Sequence, residues 1–402
     1  MSRLTCTALF TLALLQLVAA APLASAPALS DSLPAPHAAP APDADGAVLD
    51  RRAVDGSSAD ASAPLLDVVS AAVTKLSQAK AAKTAGLSTT RKSYSAMVAF
   101  GASYTDNAHA RPSTDKGSLR NYAPFTKYNG RYSNGPVAVE YMVQTDMTPA
   151  LPQGPGGVKL VDYAFGGSVI KNGLSGTGTA YPDAGNQVAE YLADLKSGSI
   201  GVGSGRVLHY FNTGINPVMA IFNNMLRAGS DSRAVSYAQS AVADNANALI
   251  KTIRSINTDS TVKSKINGRD FLIVGIPQMD LTPVAHYAIP SSYNQRQRNA
   301  ALSQLQTLTN QYNSALASFA DTFKSEVVGG SVYYFDLANL WQSLTNSGPE
   351  YGITQGTKTC LSGSTLCSHP SQYLYLDTLH PVTSVHKLWA QKMNALVSGS
   401  SS

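Results

Sequence analysis

Met97-Val98-Ala99-Phe100-Gly101-Ala102-Ser103-Tyr104-Thr105-Asp106-Asn107 decides how this chain is read. An apolar run from Ala96 to Phe100 has the length and composition of a buried strand, and it ends in a tight turn that carries Ser103. Near the far end of the chain stands Asp377-Thr378-Leu379-His380-Pro381, an acid three residues before a histidine. A serine presented at a strand end, joined at long range to such a pair, is the raw material of a serine esterase.

Working outward, three further apolar runs read as buried strands: Val207 to Phe211, Phe271 to Ile276 and Val332 to Phe335. Long helical patterns lie between them. Val235, Ala238, Val242, Leu249 and Ile253 mark one, and Leu305, Leu308, Tyr312, Leu316, Phe319 and Phe323 mark another at spacings of three and four. Strands alternating with helices imply an α/β fold whose mostly parallel sheet is covered on both faces. Ligands in such sheets bind beyond the carboxyl ends of the strands, so Ser103, past the first run, and Asn216, past the second, are expected to share one crevice.

The 402 residues, 44% of them apolar, are enough for one large core or two small ones. Residues 1–21 carry Arg3, an apolar stretch from Ala8 to Val18 and small residues at the end, the pattern of a secretory signal peptide. No other segment approaches the ~18 apolar residues of a membrane span. Residues 22–52 collapse to Ala, Pro, Ser and Asp and end in Arg51-Arg52, which reads as a pro-segment with a dibasic processing site or as a retained flexible tail. Residues 53–92 hold an amphipathic helix, Pro64 to about Ala85, and a linker; residues 93–398 form the compact domain. The net charge of +5 is not clustered, so no nucleic-acid partner is expected. Beyond Cys6 of the leader there remain Cys360 and Cys367, for which an oxidising compartment implies one disulfide; a zinc site would need further ligands at suitable spacing, and none are grouped with them.

Six blocks in order resemble the GDSL or SGNH hydrolases, and more narrowly their secreted fungal acetylesterase-like branch, grouped with carbohydrate esterase family 16. Phe100 to Asp106 is similar to the block that carries the nucleophile. Asn129-Gly130-Arg131-Tyr132-Ser133-Asn134-Gly135-Pro136-Val137-Ala138-Val139-Glu140-Tyr141 is similar to the segment that follows it in that branch. Asp162 to Ser168, with Gly166-Gly167, looks like the second block, and Thr213-Gly214-Ile215-Asn216 like the third. Gly275 to Pro283 and Asp377 to Pro381 complete the order. The resemblance runs from about Ser95 to Leu396 and implies a three-layer α/β/α sandwich.

The chemistry can be stated from the residues. Ser103 needs a base, His380 is the candidate, and Asp377 can hold one imidazole nitrogen so that the other faces the serine. The resemblance assigns the oxyanion donors to the Ser103 N–H, the Gly167 N–H and the Asn216 side-chain amide. Gly166 could be the donor in place of Gly167, and Asn216 before Pro217 could be a helix cap. Two positions depart from the family pattern: Ala102 stands where an Asp usually precedes the serine, and Pro217 where an Asp usually follows the asparagine. His209, inside a strand pattern, reads as a hydrogen-bonded core residue; His109, His286, His369 and His386 have no carboxylate spacing that specifies a metal. The expectation is a secreted, extracellular, monomeric serine esterase with no cofactor and no metal. Its substrate is a small acyl ester or an acetylated carbohydrate, the latter from resemblance alone. A lipase or broad short-chain carboxylesterase, and a catalytically silent fold that binds polysaccharide, remain the alternatives.

Overall fold

The computed structural model describes residues 93–107, 131–143, 151 and 157–399. The leader, the pro-segment, the helix expected over 64–85 and His109 lie outside the described residues.

Five parallel strands form the central sheet: β1 (Tyr94–Gly101), β2 (Lys159–Asp162), β3 (Arg206–Asn212), β4 (Gly268–Val274) and β5 (Ser331–Phe335), in the order β2-β1-β3-β4-β5. Register runs from Val98 opposite Val161 on one side of β1 to Phe100 opposite Phe211 on the other. Seven of the eight residues of β1 are buried, as a central parallel strand requires with both of its faces covered. The expected runs fall within or overlap β1, β3, β4 and β5. β2 was not among them, because it spans four residues, opens on exposed Lys159 and buries only Val161 and Asp162.

Nine helices join these strands among the described residues. They are α1 (Ala138–Val143), α2 (Ala184–Ser197), α3 (Ile215–Arg227), α4 (Ser232–Thr258), α5 (Ser260–Lys265), α6 (Pro283–Ala288), α7 (Gln295–Phe323), α8 (Leu337–Asn346) and α9 (Thr383–Ser398). The chain moves outward from β1 to β2, then reverses across β1 to β3, β4 and β5. Right-handed crossovers therefore place α1 on one face and the helices that follow β2 on the other. Packing follows that division: α4 contacts α2, α3 and α7, whereas α9 returns to pack on α1. Helices cover both faces of a parallel sheet, the α/β sandwich expected from the alternation of patterns.

The point of reversal between β2 and β3 also places three strand ends side by side. Ser103 follows β1, Gly167 follows β2, and α3 begins after only two intervening residues, Thr213 and Gly214, beyond β3. After β5, short strands β6 (Gln355–Thr359), β7 (Leu361–Ser362), β8 (Thr365–Leu366) and β9 (Tyr373–Tyr375) lead to Asp377. Cys360 and Cys367 are joined in a disulfide across the β7-β8 hairpin. The Cys360 and Leu361 N–H groups donate to Tyr375 and Leu376 carbonyls at 3.0 and 2.7 Å, which ties this hairpin to the strand that delivers Asp377.

Candidate active site

The turn after β1 is built to present a hydroxyl. The Thr105 and Asp106 N–H groups both donate to the Ala102 carbonyl at 2.9 Å, closing a tight turn around Ser103. The strand end beneath it is fixed by Gln187 of α2. Gln187 Oε1 accepts from the Gly101 N–H at 3.0 Å, and its Nε2 donates to the Gly101 carbonyl at 2.9 Å and to Ser168 Oγ at 3.0 Å. One fully buried amide thus anchors both the serine turn and the turn after β2. Gln187 was not singled out from the sequence, yet a signal existed: it sits at helical spacing with Ala184, Tyr191 and Leu195 on the buried face of α2.

Ser103 Oγ and His380 Nε2 lie 2.8 Å apart, and His380 Nδ1 lies 2.8 Å from Asp377 Oδ2. The other carboxylate oxygen of Asp377 accepts from the Leu379 N–H at 2.8 Å and the His380 N–H at 2.7 Å. Asp377 and His380 are therefore locked in one turn by its own backbone, which explains the three-residue spacing. Burial alone would raise the Asp377 carboxyl, but the facing His380 and the two N–H donors outweigh it and hold the acid below its ordinary range. Tyr104 closes this turn onto the serine block by donating its hydroxyl to the Leu379 carbonyl at 2.7 Å.

Around Gly166-Gly167 the structure distinguishes two N–H groups that the sequence left as alternatives. The Gly166 N–H donates to buried Asp106 Oδ2 at 2.7 Å, whereas the Gly167 N–H has no hydrogen-bond partner among the described residues. Gly167 also adopts φ +80°, a conformation that favours glycine. The Ser103 N–H likewise has no hydrogen-bond partner among the described residues. Asn216 is not the cap of α3. The cap is Gly214, Asn216 is the second helical residue, and Pro217 is the third, where a missing N–H removes no helical bond. Asn216 Nδ2 donates one hydrogen to the Ser168 carbonyl at 2.8 Å, and its second amide hydrogen has no partner among the described residues.

His209 is fully buried, pairs with Tyr191 at 2.9 Å, and is pushed down to about 4 by burial. No group of three or more metal-ligating side chains occurs among the described residues. A groove of about 650 Å³, lined by Lys171, Leu174, Asp183, Asp244 and Lys251 among others, includes none of Ser103, Asp377 and His380. No helix among the described residues is long and apolar enough to cross a membrane.

A model of the GDSL-like lipase/acylhydrolase family matches residues 97–393, nearly the whole of the described fold. The chain belongs to this family, and it is therefore an ester-hydrolysing enzyme of the GDSL type. A GDSL esterase/lipase of Arabidopsis thaliana is 22% identical over 329 residues, which is 74% of this chain and 80% of the relative. Among solved structures, an extracellular lipase from Streptomyces rimosus covers 75% of this chain and 99% of its own at 14% identity and a TM-score of 0.37. A phospholipase A1 from Streptomyces albidoflavus covers 76% and 100% at 13% identity, with a TM-score of 0.36.

Proposed function

We propose that this chain is a secreted serine esterase that removes short acyl groups, O-acetyl groups of cell-wall carbohydrate foremost, through an acyl-enzyme on Ser103. The observation that carries the reading is the unbroken chain Ser103–His380–Asp377, with 2.8 Å at each link. His380 Nε2 takes the hydroxyl proton as Ser103 Oγ attacks the ester carbonyl, and Asp377 stabilises the imidazolium. His380 then gives the proton to the departing alkoxide. Water, activated by the same imidazole, hydrolyses the acyl-serine and frees the acid.

The negative charge on the carbonyl oxygen needs donors that no other group has claimed. The Ser103 N–H, the Gly167 N–H and the second hydrogen of Asn216 Nδ2 meet that requirement, and loss of one such donor costs ~10²–10³ in turnover. These steps use only side chains and backbone, so no cofactor is needed.

The carbohydrate substrate rests on the resemblance to the acetylesterase-like branch. It is consistent with the aromatic pair Phe165 and Tyr181, whose rings pack 5.0 Å apart with Tyr181 against the Gly167 backbone. Secretion is supported by the signal-like residues 1–21 and by the Cys360–Cys367 disulfide. The test is to react the purified protein with a fluorophosphonate ester, map the label by mass spectrometry, and compare acetate release from acetylated xylan fragments with hydrolysis of long-chain aryl esters. Labelling at Ser103 and preference for the acetyl substrate are expected. A long-chain preference would favour the lipase alternative, and a folded protein without label or acyl release would favour the silent polysaccharide binder.

A further inference from the structure

The segment from Arg131 to Tyr141 takes no part in the chemistry above, yet it grips the turn that carries His380 at successive points. Ser133 Oγ donates to the Pro381 carbonyl at 3.3 Å, and Asn134 Oδ1 accepts from the Thr383 N–H at 2.8 Å. Thr383 Oγ1 donates to the Pro136 carbonyl at 2.8 Å, and the Ala138 N–H donates to His386 Nδ1 at 3.2 Å. Gly135 allows this approach, since a Cβ there would stand 2.8 Å from Thr383 Oγ1. α9 begins at Thr383 behind Val382, a residue that cannot cap it with its side chain. Asn134 supplies that cap from another part of the chain. The segment is itself braced, because the buried Glu140 pairs with Arg131 and accepts from the Val137 N–H at 2.8 Å.

At the tip of this segment the Tyr132 ring lies 5.0 Å from the His380 ring, tilted by 34°. It also packs on the turn after β2, where a Cβ on Gly166 would come within 2.3 Å of the Tyr132 ring. Tyr132 therefore touches both the imidazole and Gly166 of the turn after β2.

We propose that Arg131–Ala138 is a clamp that positions the base for proton transfer, with Tyr132 as the positioning residue that fixes the plane of the His380 imidazole against Ser103. This rests on His380 acting as the base. Asp377 meets the ring at Nδ1 and Ser103 meets it at Nε2, contacts at the ring edge that leave its tilt about the line joining them unset; the Tyr132 ring and Tyr104, 5.9 Å away, restrict that tilt. A displacement near 1 Å at such a contact costs up to ~10² in rate without altering how substrate binds.

The experiment measures kcat and KM on an aryl acetate, the rate of fluorophosphonate labelling of Ser103, and thermal midpoint for Tyr132→Leu and Tyr132→Phe. Tyr132→Leu should lower kcat and the labelling rate together by about tenfold or more with KM held within about twofold, and Tyr132→Phe, which keeps the ring, should recover most of both. Asn134→Ala reads the same clamp from its other end if Tyr132→Leu does not fold: it should lower kcat with little change in KM, and Asn134→Asp, which keeps the acceptor, should restore it. The proposal is overturned by wild-type kcat in both Tyr132→Leu and Asn134→Ala, or by a rise in KM alone. Loss in Tyr132→Phe equal to that in Tyr132→Leu would overturn the role of the ring in favour of the hydroxyl. A wild-type enzyme that labels at a residue other than Ser103 refutes the serine reading itself, and the two failures are thereby distinguished.

Discussion

Lowering the pH from 7 to 5 should remove a large share of this fold's stability through two buried histidines. His209 sits in β3 and His386 in α9, both fully buried. Burial pushes His209 down to about 4 and, with His380 nearby, His386 down to about 3. In the unfolded chain each ring titrates near ~6.5. Above that pH both states hold the rings neutral and bind equal numbers of protons. Below it the unfolded chain takes up one proton per ring that the fold refuses, so stability falls by about 1.4 kcal/mol per pH unit per ring until the folded value is reached. Between pH 6.5 and 5 this amounts to about 2 kcal/mol per ring and about 4 kcal/mol for the pair, against a total stability on the order of 5–15 kcal/mol. Asp377 does not enter this window: its depressed carboxyl contributes stability above about pH 4 that is lost only as the pH falls further. The assay is urea unfolding at pH 7, 6 and 5, followed by fluorescence of buried Trp341 and Trp389. His209→Gln should reduce the slope of stability against pH by about half, whatever it does to stability at pH 7. A midpoint unchanged between pH 7 and 5, or an unaltered slope in His209→Gln, would refute the reasoning.

Ser103→Ala should lower ester hydrolysis by at least ~10³ while leaving the thermal midpoint almost unchanged; retention of a tenth of the activity would remove Ser103 from the role of nucleophile. Asn216→Ala should lower kcat on an aryl acetate by ~10²–10³ with a smaller effect on KM, because the donor matters only once charge develops on the carbonyl oxygen. Reduction of the Cys360–Cys367 disulfide, or its replacement by two serines, should cost about 2–3 kcal/mol in urea unfolding, the loop-closure value for so short a span. EDTA should leave activity intact, and inhibition reversed by a divalent ion would overturn the serine mechanism.

Much of this architecture was legible because burial on both faces of a parallel sheet demands unbroken apolar runs, and β1, β3, β4 and β5 supply them. β2 escaped because it is only four residues long and opens on exposed Lys159, whereas the edge strand β5 at the other side keeps an unbroken run of apolar and aromatic residues from Val332 to Phe335. Ser103, Asp377 and His380 were reached from residue type and block order, since acyl transfer restricts which side chains can serve, and the fold brings the three together with 2.8 Å at each contact. Which of two adjacent glycines has a free N–H could not be read, because the answer depends on Asp106 reaching across 60 positions to Gly166. The cap reading of Asn216 failed for a related reason. Proline is compatible with any of the first helical positions, so Pro217 dates the start of α3 only to within a turn. The service rendered by residues 131–141 was out of reach altogether, because its partners lie about 250 positions away and are mostly backbone atoms.

Ala102 and Pro217, the two departures from the family pattern, bear on whether the site is competent, and the structure supplies a physical reason for tolerance at each. A carboxylate near the serine turn would serve to bind loop N–H groups, and that task is taken by neighbours. Asp106 holds the Gly166 N–H, and fully buried Asp162 accepts from the Asn107 N–H at 3.1 Å and the Ala164 N–H at 2.9 Å. A further acid at position 102, which is 5% exposed, would have to find donors of its own or carry the cost of a buried, unpaired charge. At position 217 an acid would sit in the first turn of α3, where it would favour the helix end. Proline gives up that gain but forfeits no hydrogen bond, and Asn216 keeps its contact with Ser168. Neither change removes a member of the Ser103–His380–Asp377 chain: Ala102 lies in the turn beside the serine and Pro217 in the first turn of α3, and both belong to the backbone that supports the site.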